Sequence, residues 1–166
     1  TRLTYSRLNM EEFVIEGGIP LQGEVTPSGN KNAALPLLAA CLLTDEPVVM
    51  RNIPQIRDVL AMRKLIESLG AVVEDVDLHT WRITTRELTA SHLDPELCRR
   101  IRASILIAGP VLARAGALKL PPPGGDVIGR RRLDTHILAL RALGAEVTYD
   151  RVFDIRSSGL HGGDIL

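Results

Sequence analysis

The chain has 166 residues, 45% hydrophobic and only 3% aromatic, with 20 basic and 20 acidic side chains and zero formal net charge. That length suits one domain with at most a fragment of a second, and so aliphatic a composition excludes disorder and demands a core of Leu, Ile, Val and Ala. Balanced charge excludes broad electrostatic binding to nucleic acid or an anionic membrane, but leaves room for local basic clusters that hold a small anion.

Residues 1–9 are polar and lack the apolar stretch of a signal peptide. Met10 reads as the true start, with Thr1 to Asn9 an upstream extension. Phe13 to Glu16 and Leu21 to Thr26 read as two short strands, and a turn at Pro27 to Asn30 leads into a helix that begins near Lys31. Free N–H groups and the macrodipole make such a helix start an anion site. Lys31 is out of place there, because a cation in the first turn opposes the dipole unless an anion binds; otherwise it is an exposed lysine that tolerates its position. Leu65, Ile66 and Leu69 give a second helix its apolar face, which ends at Gly70. Asp94-Pro95-Glu96 opens a third helix with an N-cap, a proline at the first helical position and an acid in the first turn. Pro110 should kink or divide that helix near Gly109. The apolar stretch Ala103 to Leu118 holds Gly109, Pro110 and Arg114, so it reads as a buried helix and is too short and interrupted for a membrane span. Cys41 and Cys98 make no disulfide framework, which fits a reducing cytoplasm.

The pattern repeats. Ala33 to Pro54 matches Ala103 to Gly124: a helix-like aliphatic run, a turn, then a strand-like run ending near proline. Ser68 to Ile83 matches Ala142 to Ile155: Leu-Gly-Ala ends a helix and enters a pair of short strands, with Gly70 and Gly144 as the left-handed caps. The offset grows from 69 between Ala34 and Ala103 to 74 between Gly70 and Gly144, so the second copy carries five extra residues, in Pro121 to Arg132. The expected fold is α/β, with sheets backed by helices. An insertion in one copy of a repeat is a place to look for function.

That insertion, PPPGGDVIGRRR, is stiff at Pro121 to Pro123 and pliable at Gly124 and Gly125. Asp126 follows, either a turn aspartate or an acid with a task. Arg130, Arg131 and Arg132 precede a helix starting near Asp134, as an anion-binding cluster or a solvated or nucleic-acid-facing patch. Gly124 and Gly129 fit the GxxxxG of a phosphate loop, but Arg130-Arg131 replaces the required Lys-Ser/Thr, which rejects a nucleotide triphosphatase. Arg102, between Ile101 and Ala103, is expected partly buried with an anionic partner, either a ligand or an acid such as Glu96. The four histidines show no metal-ligand spacing.

LQGEVTPSGNKNAALPLLAA (Leu21 to Ala40), VVMRNIPQIRDV (Val48 to Val59), RASILIAGPVLARAG (Arg102 to Gly116) and PGGDVIGRRRLDTHILALRALGA (Pro123 to Ala145) resemble, in order and spacing, the UDP-N-acetylglucosamine enolpyruvyl transferases. The sibling shikimate-phosphate enolpyruvyl transferases share the fold but lack SGNKNAALP. The resemblance implies repeated βαβαββ units in two domains, an inside-out α/β barrel, with the active site between the domains. It implies an upstream extension over residues 1–9, strands of the second domain over 10–27, and an incomplete first domain over 28–166. That domain would hold units at about 28–90 and 91–160 and the start of a third. It further implies transfer of the enolpyruvyl group of phosphoenolpyruvate to the 3-hydroxyl of UDP-N-acetylglucosamine, by addition and elimination in the cytoplasm, without metal or cofactor.

By the same resemblance Lys31 and Asn32 contact phosphoenolpyruvate and Arg102 reaches the nucleotide-sugar. Arg131 lies near both substrates, and Arg132, Leu133, Asp134 and Thr135 follow it along the nucleotide-sugar site. Asp126 takes the place of the loop cysteine that most members use as general acid, so fosfomycin, which alkylates that cysteine, has no thiol to attack. Leu106 stands where many members have tryptophan, and Arg132 where proline is common. The chain alone is expected to be poorly active, because the remainder of the family's sequence holds a catalytic aspartate and further arginines. Other readings are a non-catalytic module that binds a nucleotide-sugar or another anion, and an assembly partner of a second chain.

Overall fold

The structure, a computed structural model, describes residues 14–18, 20–125 and 133–164. Helix α1 spans Lys31–Ala40 and passes into a short 3-10 turn at Cys41–Leu43, before strand β1 at Val48–Met50. Helix α2 (Arg57–Ser68) and the hairpin β2 (Val72–Asp77) and β3 (Thr80–Thr84) follow. The same order then recurs. Helix α3 (Pro95–Arg100), a 3-10 segment (Arg102–Ile107) and α4 (Ala108–Ala115) precede β4 (Ala117–Leu120). Helix α5 (Asp134–Ala142) and the hairpin β5 (Glu146–Asp150) and β6 (Val152–Arg156) close the second copy.

Each copy builds a three-stranded antiparallel sheet of one strand order, β1-β3-β2 and β4-β6-β5. The registers correspond apart from a bulge between Asp75 and Asp77 in the first sheet. Met50 faces Trp81 and Val48 faces Ile83 in the first sheet, as Leu120 faces Phe153 and Leu118 faces Ile155 in the second. The period-two alternation of each strand sets this register, because a one-residue slip would expose the buried set. In β3, Trp81 and Ile83 are buried while Arg82 between them is exposed.

Both hairpins are entered through the same helix stop. Gly70 and Gly144 take φ of +108° and +93°. Ala71 N–H donates to the Ile66 carbonyl and Ala145 N–H to the Leu140 carbonyl, the backbone pattern of a Schellman stop, which glycine adopts without a Cβ penalty. The core runs through both copies and is aliphatic as the composition demands, including Leu38, Leu42, Met62, Leu65, Ile66 and Leu69 with Ile107, Val111, Leu118 and Ile155. Trp81, 1% exposed, is the large aromatic exception. Helix α4 joins the copies: the Arg114 guanidinium donates to the carbonyls of Leu42, Thr44, Thr85 and Arg86 at 3.0, 3.3, 2.7 and 2.8 Å. Among the described residues no helix is long and apolar enough to cross a membrane.

Two expectations are corrected. The residues described between Val14 and Thr26 form no strand, and Val14, Ile15, Leu21 and Val25 are 60–97% exposed. Apolar alternation makes a strand only where another strand takes up its N–H and C=O groups. In the second copy the matching segment has such a partner: Leu93 N–H donates to the Lys119 carbonyl and Lys119 N–H to that of Ser91, a parallel bridge on the edge of β4. The helix opened by Asp94 is also broken earlier than Pro110 suggests. It stops at Ile101, which is extended at φ −135°, ψ 135°. Pro110 sits in the first turn of α4, where a missing N–H costs little. The expected opening of a third unit at Asp164 to Leu166 reaches beyond the described residues at Ile165.

Candidate functional site

Asn30 caps α1, its side-chain oxygen accepting from the N–H groups of Asn32 at 2.7 Å and Ala33 at 3.2 Å. Ala34 N–H donates to the Asn30 carbonyl at 2.9 Å. Two of the first-turn N–H groups, those of Asn32 and Ala33, are thus taken up by the cap, which leaves a larger share of any anion binding there to side chains. The start of α1 is fixed against the loop after β1 by Gly29, where a Cβ would lie 1.7 Å from the carbonyl oxygen of Asn52. Asn52 itself has φ of +56°. This contact draws the first turns of α1 and α2 together.

The result is an ion pair that the sequence does not announce. Lys31 Nζ lies 2.8 Å from Asp58 Oδ2, with the two side chains 42% and 38% exposed. Lys31 is thus neither a bare solvent-facing lysine nor an unbalanced cation at a helix start. Asp58 is the second residue of α2, where the macrodipole favours an acid. Nothing in the linear order links it to Lys31; only the hint that a first-turn acid is a stable anion could have drawn attention to it.

Around this pair lies a pocket of about 200 Å³, lined by Lys31, Asn32 and Leu35 of α1, Asp58 of α2, Arg100 to Ala103, and Gly125. Three expected site residues therefore share one wall although Arg102 is far from the others in sequence. Arg102 begins the 3-10 segment and is half-buried, as its apolar neighbours imply. Glu96, weighed as its partner, pairs with Arg99 on the surface of α3. Arg100, the last residue of α3, also faces the pocket.

Gly124 and Gly125 bring the insertion to this pocket. Their N–H groups donate to the carbonyls of Cys98 and Arg99 at 2.9 and 3.0 Å. A Cβ on Gly124 would lie 1.9 Å from the Arg99 carbonyl oxygen, and Gly125 takes φ of +93°. Glycine is needed at both positions for the chain to approach α3 this closely. Asp126, Arg131 and Arg132 lie outside the described residues, as does Arg130. Leu133 precedes α5, whose first residues are Asp134 and Thr135; none of the three lines the pocket.

The two thiols are buried and unpaired. Burial pushes both up to about 11. At neutral pH they are packing groups, since the thiolate is the reactive form.

The fold agrees with that of known proteins. The sequence model of the EPSP synthase (3-phosphoshikimate 1-carboxyvinyltransferase) family matches residues 15–165. The UDP-N-acetylglucosamine 1-carboxyvinyltransferase of Bradyrhizobium diazoefficiens is 54% identical over 93% of this chain and 36% of its own length. That of Treponema denticola is 49% identical over 95% of this chain and 37% of its own. Among solved structures, the enolpyruvyl transferase NikO from Streptomyces tendae aligns with a TM-score of 0.68 at 23% identity, covering 87% of this chain and 32% of that one. An EPSP synthase from Acinetobacter baumannii aligns with a TM-score of 0.60 at 14% identity, covering 82% of this chain and 32% of that one. The chain spans little more than a third of the length of these curated relatives. It belongs to the EPSP synthase family.

Proposed function

We propose that the chain is the N-terminal portion of a UDP-N-acetylglucosamine 1-carboxyvinyltransferase, which moves the enolpyruvyl group of phosphoenolpyruvate onto the sugar's 3-hydroxyl at the first committed step of peptidoglycan synthesis. The relatives that carry this name, at 54% and 49% identity, support the choice within the family. The observation that carries it to residues is the pocket on which Lys31, Asn32 and Arg102 meet, with three cationic side chains and one carboxylate among the described residues. Such a site favours a compact polyanion.

In this reading Lys31 and Asn32 take the phosphoenolpyruvate and Arg102 the nucleotide-sugar. Arg131 spans both, and Arg132, Leu133, Asp134 and Thr135 continue the nucleotide-sugar path. The 3-hydroxyl oxygen adds to the carbon that bears the phosphate while a general acid protonates the methylene carbon. Loss of a proton from that same carbon then restores the double bond and expels phosphate; the proton gained at carbon is thus returned, and the one shed by the 3-hydroxyl on addition ends on the released phosphate. Asp126 is the acid, a carboxyl in the place of the family's usual thiol, and it must hold its proton near working pH to serve. Arginines beside it oppose this and bound anions favour it. The remaining substrate contacts come from the later part of the polypeptide, which makes the isolated chain a poor catalyst.

The test is phosphate release by the full-length gene product given both substrates. Release that depends on UDP-N-acetylglucosamine and falls by at least about a hundredfold in Asp126→Ala is expected, the usual scale for removing a general acid. Release supported by shikimate 3-phosphate in place of the nucleotide-sugar would overturn the substrate assignment.

A further inference from the structure

We propose that Asp58 is the resident counter-anion of Lys31: it holds the ammonium when no anion is bound, yields it to an incoming dianion, and so sets the charge a ligand must carry to enter this pocket. The inference rests on the reading that the pocket takes phosphoenolpyruvate.

Three observations converge on it. The Lys31–Asp58 pair, at 2.8 Å, is inside the pocket wall and is not a remote surface bridge. Among the described residues Asp58 is the one carboxylate lining the pocket, with Lys31, Arg100 and Arg102. The two charges also sit unequally on their helices. Asp58 is favoured by the first turn of α2, whereas Lys31 opposes the first turn of α1. Two of the N–H groups that could hold an anion at α1, those of Asn32 and Ala33, are committed to Asn30. Lys31 is therefore paired with an acid supplied from a second helix. Both members are more than a third exposed, so the pair is weak enough to exchange. A ligand with one negative charge gains little by replacing a carboxylate that already occupies the ammonium. A dianion gains the ammonium and keeps a second charge for the arginines.

The consequence has a sign. Neutralising Asp58 removes both a competitor for Lys31 and a repulsive charge, so anion affinity rises. The probes are phosphoenolpyruvate, inorganic phosphate and nitrate, titrated into the 166-residue chain while the amide signals of Lys31 and Asn32 are followed by NMR. Asp58→Asn is expected to bind phosphoenolpyruvate about twofold to fivefold more tightly, the fold-change of an exposed ion pair. It should gain less for nitrate, and Asp58→Glu should stay near the parent. Lys31→Ala should lose the binding. A structural role for Asp58 would weaken every anion alike. If Asp58→Asn does not fold, Asp58→Ser carries the same comparison. Equal or weaker binding in the neutral variant, with Lys31→Ala still defective, overturns this proposal and leaves the phosphoenolpyruvate reading intact. If the 166-residue chain leaves its signals unmoved at millimolar phosphoenolpyruvate, the same titration is read on the full-length gene product, and no binding there overturns both.

Discussion

The two copies of the repeat share a strand order and a register, yet the same ladder position is held by different chemistry. In the first sheet Asp75 faces Trp81, and in the second Tyr149 faces Phe153. Arg63 of α2 completes the first: its guanidinium lies 4.8 Å over the Trp81 ring, 2.7 Å from Asp75 and 2.9 Å from Glu67. In the second copy the rings of Tyr149 and Phe153 meet directly, 4.7 Å apart. Backbone pairing and alternation fix which residues face each other; what they do together is free to vary. An arginine clips each sheet to its helix: Arg63 pairs with two acids besides the Val73 carbonyl, whereas Arg141 of α5 donates to the Val147 carbonyl, and the second sheet adds ring contact and the extra bridge from Ser91 and Leu93.

Truncating the shared core should be the largest blow and should fall on both copies. Leu65→Ala and Leu118→Ala each remove a side chain that is at most 1% exposed. Each is expected to cost about 3–4 kcal/mol in urea unfolding. A single cooperative transition in both variants would confirm one core; two separated transitions would break the comparison into two independent halves.

Arg114→Met comes next. It leaves the carbonyls of Leu42, Thr44, Thr85 and Arg86 without their shared donor. A loss of about 2–3 kcal/mol is expected. Hydrogen exchange should then rise at Thr85 and Arg86 before it rises in β5 and β6.

Arg63→Ala sharpens the difference between the sheets. Its guanidinium is 20% exposed, and about 1–2 kcal/mol is expected at low salt, partly masked as salt is added. Tyr149→Ala should show no such salt dependence. The clip also carries a pH signature. The hydrogen bond from Arg63 holds the Asp75 carboxyl below its ordinary value. A depressed folded pKa contributes stability that is present above the unfolded carboxylate value, near pH 4, and is lost as pH falls through the folded one. Asp75→Asn should therefore flatten the acid limb of a melting-temperature profile measured downward from about pH 5.

The smallest effect runs the other way. The Thr85 hydroxyl is buried and makes no hydrogen bond. Thr85→Val should be neutral or stabilising by up to about 1 kcal/mol, because a lone buried hydroxyl carries a desolvation cost. A loss above that in thermal unfolding would mean the hydroxyl has a partner.

Much of this molecule was legible along the chain. Local rules act over a few residues, and they located the starts at Lys31 and Asp94-Pro95, the stops at Gly70 and Gly144, the apolar face of α2 and the repeat itself. The partial burial of Arg102 followed from its immediate neighbours. The failures share one cause: each depends on a group distant in sequence. Strand-like alternation before Pro27 met no partner edge, and the helix after Asp94 broke at Ile101 for tertiary reasons that its own propensities do not contain. The Lys31–Asp58 pair, the reach of Arg114 across both copies and the seating of Gly124 on Arg99 needed the packed chain. The sequence by itself determined most of the elements and the caps, because these are set by nearest neighbours and by period, and it carried the family in the resemblance of whole segments in order. The tertiary structure decided which charges meet, because two helix starts separated by β1 face one pocket only after the core has drawn them together.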